Sequence, residues 1–264
     1  MEKITPHIQK AKGHYKSMQY DNCLTELGLA KHFFDSLPSF FNCQYLTTET
    51  AHEAHVIRDT YEHECLCYAR LGDMKRFQSS YTSLRYYYNP ETEEFLIRSE
   101  KELLLTGLNL LSLLIENRAD VFNAELELLS EDERRSIYIN PIMEIERFLA
   151  DGIYTKVVAA RNTVPTNDYE PFFLELINRL ANTIAEKMCA SCDDIPIQVA
   201  EDLISLRRHV KLSDDLAARV SSRFKSSGSP QVMDALNTVS TELVSHEGIL
   251  RSCMQYACES NLIL

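Results

Sequence analysis

The sequence predicts a mostly α fold: a right-handed helical-repeat (TPR-like) solenoid, then a small winged-helix subdomain and a C-terminal helix. Three observations carry that prediction. The first is composition. Of 264 residues, 45% are hydrophobic and 25% charged, an ordinary globular balance. Only 7 Gly and 8 Pro leave few turns for an all-β chain, and abundant Leu, Glu, Ala and Arg favour helix. The second is apolar residues recurring at spacings of three and four. The third is a repeated turn. Gly72 precedes Phe77 by five residues, Asn117 precedes Phe122 by five, and Gly152 opens a similar short helix. Helix pairs stacked in this way bury one face on the next pair. The periods are irregular, so the array is degenerate rather than a strict tetratricopeptide repeat.

Taken in order, residues 1–16 are polar and basic and are expected to fray. From Tyr20 a helix presents Cys23, Leu24, Leu27, Ala30 and Phe34 on one face, and Pro38 ends it by disfavouring the α conformation at Leu37. A second helix is expected over residues 48–71, with Ala51, His55, Ile57, Tyr61, Cys65 and Tyr68 in one stripe and Gly72 as its left-handed cap. A third covers residues 74–88, with Phe77, Tyr81, Leu84 and Tyr88 aligned, and Asn89-Pro90 stops it.

The most apolar stretch is residues 103–129, a helix–turn–helix. Its first helix is apolar on nearly all sides, broken only by Asn109 and Ser112. Such a helix is buried or spans a membrane, and this run is well short of the roughly 20 residues a span needs. It reads as the buried hub of the molecule. Ser130 and Glu133 then have capping-box spacing. Pro141 is read as an interruption, after which Ile142, Ile145, Phe148 and Leu149 resume the helical pattern. Tyr154, Val157 and Val158 begin a further helix. Pro171 suits the first turn of a long helix bearing Phe173, Ile177, Leu180, Ile184 and Met188. Beyond it come two short helices, a polar turn around Gly228 and a weak hairpin candidate, which together resemble a winged helix. The domain boundaries follow: 1–165 helical repeat, 166–240 winged-helix region, 241–264 tail helix.

Charge and cysteine content bound the function. The net charge of -12 argues against nucleic acid as the main partner, because phosphate neutralisation needs a basic surface. The one dense basic cluster, Arg207, Arg208, His209 and Lys211, reads as a solvated helix face. No signal core or membrane run is present, so a cytoplasmic and nuclear location is expected, and the 8 cysteines read as reduced thiols. Cys189 and Cys192 have the spacing of a redox pair or half a zinc site, with Cys65 and Cys67 as the other half. Both pairs sit in helical patterns, where a buried thiol is the plainer reading. His52 and His55 are three apart, not the four of a metalloprotease helix. There is no phosphate-binding glycine loop and no nucleophile elbow. The expectation is a non-enzyme with no cofactor and no metal.

Several blocks of residues carry a family resemblance. The strongest is Gly107-Leu108-Asn109-Leu110-Leu111 with Leu113-Leu114 and Asn117-Arg118, followed by Phe122 and Glu125-Leu126-Glu127. Tyr138-Ile139, Glu146, Leu149, Gly152, Tyr154 and Lys156-Val157 continue it, as do Tyr169, Phe172-Phe173, Ile184 and Glu186. Upstream, Arg58-Asp59, Phe77, Leu84 and Tyr87-Tyr88 also fit, and Tyr256-Ala257 and Leu262-Ile263-Leu264 match the tail. With these blocks in this order the chain resembles the PCI-class lid subunits of the 26S proteasome regulatory particle. The short PCI layout is shared with the eighth COP9 signalosome subunit and the k subunit of translation initiation factor three. Residues 232–236 depart from the aromatic-rich wing strand of that family.

The resemblance implies a scaffold. In the family, winged helices of several subunits associate side by side and C-terminal helices gather in a bundle, so the implied partners are other proteasome lid subunits. An apolar terminal helix needs such a partner on physical grounds as well. Its anchors are expected to be Leu250, Met254, Tyr256, Leu262, Ile263 and Leu264. Rival readings are a signalosome or initiation-factor scaffold, a free-standing helical adaptor, and a thiol or zinc enzyme using Cys189 and Cys192.

Overall fold

The computed structural model describes residues 4–37, 40, 50–88 and 96–190. Ten α-helices run through them in chain order: α1 Thr5–Lys16, α2 Tyr20–Lys31, α3 Ala51–Leu71, α4 Met74–Arg85, α5 Glu102–Ile115, α6 Ala119–Glu127, α7 Glu131–Arg134, α8 Asn140–Ala150, α9 Tyr154–Ala159 and α10 Glu170–Ala190. Short 3-10 turns lie at Phe34–Ser36 and Ala160–Thr163. No strand occurs among the described residues. The chain divides into two compact units, one of residues 1–152 and 159–175, the other of 153–158 and 176–264.

In the first unit the helices pack in chain order. Helix α1 lies on α2, α2 on α3, α3 on α4, α4 on α5 and α5 on α6, while α5 also meets α3 and α8. The turns that join them follow one rule. Met18, Gly72 and Asn117 take φ of 59°, 74° and 58° at the α1/α2, α3/α4 and α5/α6 turns, and Gly152 takes 70° ahead of α9. A left-handed residue closes a helix by letting the amides beyond it bond back to the last carbonyls. At Gly72 those bonds run from Gly72 N–H to Ala69 and from Asp73 N–H to Tyr68. Asp73 then caps α4, accepting from the Arg76 amide at 3.1 Å. The recurring turn of the sequence is therefore a repeated backbone device, used by two glycines, an asparagine and a methionine. Ser130 and Glu133 form the complete capping box of α7.

Three local expectations need correction. Residues 5–16 are helix α1, not a frayed end: Pro6 stands in its first turn, and Ile8 and Ala11 are buried. Its apolar set is small, which is why the polar sequence hid it. Pro141 starts α8 rather than interrupting a helix, because the first helical turn has no intrahelical use for the missing N–H. On α3, His55 is exposed. The helix instead buries Ala54, Ile57, Arg58, Tyr61, Cys65, Leu66, Cys67 and Ala69, since α2 and α4 cover it from two sides.

The hub is confirmed. Leu105, Leu108, Leu110 and Leu111 of α5 are fully buried, and the polar breaks Asn109 and Ser112 are buried with them. Around α5 stand Phe77, Phe122, Tyr169, Phe172 and Phe173, all essentially inaccessible. Phe77 meets Phe172 edge to face at 5.2 Å and stacks near Tyr81 at 5.9 Å, separations at which aromatic pairs add to simple burial. Each such side chain removed from water contributes roughly 1.5–3 kcal/mol. In the second unit, Val157, Leu176, Ile177 and Ala181 are buried, and α10 runs from the first unit into the second. No described helix is long and apolar enough to cross a membrane.

Candidate partner-binding surfaces

The six anchor residues expected in the tail, Leu250, Met254, Tyr256, Leu262, Ile263 and Leu264, lie outside the described residues, as do the wing and Cys192. What the described residues build is a braced helical body with a concave surface between its helices.

Two braces hold that body. The first joins α1, α3 and α5. The Asp59 carboxylate receives Lys12 Nζ at 2.6 Å and Lys101 Nζ at 3.3 Å, with His63 Nδ1 at 3.2 Å. Burial pushes this carboxyl up, but hydrogen bonds from His63 and Lys12 and the charges of His63 and Lys101 outweigh it, so the group lies far below the usual carboxylate range. Beside it, Glu62 accepts the Tyr88 hydroxyl at 3.1 Å and faces Arg58 and Lys101 at 3.7 and 3.5 Å. Arg58 also donates to the Ile97 carbonyl at 2.6 Å.

The second brace crosses the hub. The Tyr169 hydroxyl donates to the Leu104 carbonyl at 3.0 Å, and the Tyr138 carbonyl lies 3.4 Å away. It does so directly over Gly107. A Cβ there would lie well inside contact distance of Tyr169 Oη and 2.8 Å from the Tyr138 carbonyl oxygen. Gly107, Tyr138 and Tyr169 are separate blocks of the sequence resemblance, and here they form one contact. Arg70 pairs with Asp168 just before Tyr169.

Of the thiols and histidines singled out from sequence, Cys65 and Cys67 are buried in this body, while His52 and His55 are exposed on α3. Cys23 and Cys67 pack together with Ala11 and Leu27 in a fully buried cluster. Burial pushes the Cys65 thiol well up, which keeps it protonated and inert. No group of three or more His, Cys, Asp or Glu among the described residues is placed to hold a metal ion. In the Tyr86-Tyr87-Tyr88 run, Tyr87 is core and stacks near Tyr61 at 6.3 Å, while Tyr86 is exposed.

The concave surface is a groove of about 380 Å³ between α4 and α6, floored by α5. Its lining includes Lys75, Gln78, Arg85, Asn109, Leu113, Arg118 and Glu125. Arg85 Nη1 reaches Glu125 Oε1 at 2.5 Å and so joins α4 to α6. Sequence reading did not find this groove. Its residues come from three helices; Asn109, Leu113, Arg118 and Glu125 stood out in the sequence, but nothing there joined them to Lys75, Gln78 and Arg85.

Comparison with known proteins places the chain. Residues 100–219 match the model of the CSN8/PSMD8/EIF3K family. The chain is similar to 26S proteasome non-ATPase regulatory subunit 8 homolog A of Arabidopsis thaliana, at 30% identity over 197 residues, 74% of this chain and 70% of that protein. It is 31% identical over 137 residues to 26S proteasome non-ATPase regulatory subunit 8 of Caenorhabditis elegans, about half of each chain (52% and 52%). With the 26S proteasome regulatory subunit rpn12 of Schizosaccharomyces pombe it shares 25% identity over 175 residues, 66% of this chain and 63% of that one. The matched stretch begins at α5 and takes in the Gly107–Tyr169 contact, so sequence likeness and core geometry coincide: the chain belongs to the CSN8/PSMD8/EIF3K family, with relatives named as proteasome regulatory subunit 8.

Proposed function

We propose that this chain is a non-catalytic structural subunit of the lid of the 26S proteasome regulatory particle. It acts in lid assembly and in joining the lid to the base, in the service of ubiquitin-dependent protein degradation. The observation that carries this reading is the similarity over 197 residues to a protein named as regulatory subunit 8. The order of helix packing in the first unit supports a right-handed TPR-like solenoid for residues 1–165. Residues 166–240 are assigned to a PCI winged-helix region and residues 241–264 to a tail helix. Partners are other lid subunits, met through the winged helix and through Leu250, Met254, Tyr256, Leu262, Ile263 and Leu264. A helix docks in a bundle through such anchors. Neither nucleic acid nor membrane is a partner in this reading, and the working compartments are cytoplasm and nucleus.

The test is native affinity purification of the tagged full-length chain and of a chain lacking residues 256–264, followed by mass spectrometry. The full-length chain should bring down regulatory-particle subunits. The shortened chain should keep its helical circular dichroism and lose them. If the shortened chain co-purifies with complete regulatory particles, the tail assignment fails. If signalosome or initiation-factor subunits appear without proteasome subunits, the lid reading fails.

A further inference from the structure

We infer that the groove between α4 and α6 binds an acidic peptide segment of a partner protein, with Lys75 and Arg118 taking a side-chain carboxylate and the Asn109 carboxamide taking the peptide main chain. The proposal stands on the groove itself and does not depend on which complex the chain joins.

Three features favour that occupant. The first is Asn109. It lies on the groove floor, where it lines the cavity, and is only 8% exposed. A carboxamide offers both a donor and an acceptor, which match the acceptor and donor of a peptide group. Leu113 beside it, 4% exposed, supplies an apolar floor.

The second feature is charge. At one end Arg85 and Glu125 neutralise each other at 2.5 Å. At the other, exposed Lys75 has no carboxylate partner among the described residues, and Arg118 pairs with Glu116 at 3.8 Å. The groove lining therefore holds Lys75, Arg85 and Arg118 against a single carboxylate, Glu125, on a chain whose net charge is -12. An acidic segment is drawn to this lining and repelled by most of the remaining surface. The third feature is size. About 380 Å³ lies within the range of sites that enclose small ligands and short segments. Lys75 and Arg118 alone do not make the basic stripe that a nucleic acid requires.

The probe is a fluorescein-labelled hexapeptide of alternating glutamate and leucine, with a glutamine–leucine hexapeptide as its neutral counterpart, read by anisotropy on the full chain. The acidic peptide should bind saturably and weaken roughly tenfold, about 1.4 kcal/mol, in the double variant Lys75→Glu, Arg118→Glu. Asn109→Leu should weaken both the acidic and the neutral peptide. Lys16→Glu on α1 should change nothing. Lys75 and Arg118 are exposed, so their variant keeps the fold, checked by thermal melting, even if Asn109→Leu does not. No saturable binding, equal binding of both peptides, or full binding by the double variant overturns the proposal. So does tighter binding of an eight-nucleotide oligouridylate through the same residues, which would make the groove a nucleic-acid site.

Discussion

At the scale of the residue, Gly107 has a specific reason to be glycine. In the middle of a helix glycine costs about 1 kcal/mol relative to alanine, so Gly107→Ala should stabilise α5 on propensity alone. The structure predicts the reverse. The added methyl would run into Tyr169 Oη and the Tyr138 carbonyl, and overpacking a filled core costs roughly 1–3 kcal/mol. Gly107→Ala should lower the midpoint of urea unfolding, and adding Tyr169→Phe should return part of the loss by removing the hydroxyl. A larger loss in the double variant would show that the clash is not with that oxygen. The signal was present in the sequence, since a lone glycine inside an apolar helix marks a close approach. What approaches could not be read, because Tyr138 and Tyr169 are distant along the chain.

At the scale of the element, helices were legible where the apolar set is large and the stop signal chemical. Residues 71–74 illustrate this, since Gly72 and Asp73 end one helix and cap the next as their residue types require. Helix α1 was illegible because its buried set is small, Ile8 and Ala11, and charge adds to its hold. That charge gives a pH prediction. Asp59 has an ordinary pKa of about 3.9 when unfolded and a lower one when folded. The unfolded state therefore binds the proton first as pH falls. The stabilisation is complete above about pH 4 and is lost progressively below it, towards the folded value. Asp59→Asn should cost about 2 kcal/mol at neutral pH, the scale of hydrogen bonds to a charged group, and should flatten the acid limb of stability against pH. Denaturant titrations at pH 7, 4 and 2.5 check this. A variant that loses stability with acid as steeply as the parent would remove Asp59 from the account. The groove between α4 and α6 was hidden for a related reason: a surface made by the gap between helices has no periodicity in any one of them.

At the scale of the whole molecule, the first unit is closed by contacts between its early and late parts. Arg70 and Asp168 are 98 residues apart in sequence and form a partly buried ion pair. Arg70→Leu leaves the Asp168 carboxylate, 10% exposed, without its cation. Removing one partner of a fully buried pair costs about 3–5 kcal/mol. With the guanidinium 29% exposed, roughly 1–3 kcal/mol is expected here. Arg70→Leu with Asp168→Leu should be less destabilised than Arg70→Leu alone. A double-mutant cycle in urea measures the coupling, and zero coupling would mean that this ion pair adds nothing to the closure.

The same closure has a consequence for how the chain is made. Helix α5, the most apolar element, is covered in part by α8 and by the hydroxyl of Tyr169, all of which are synthesised after it. At about 5–20 residues per second, roughly 3–11 seconds separate the emergence of Ile115 from that of Tyr169. For that interval the nascent chain displays its hub helix before the segment that seals it exists. Translation speed through residues 116–169 and access to a ribosome-associated chaperone thus become determinants of yield, and a synonymous change that slows this stretch would act on a protein whose sequence it leaves untouched.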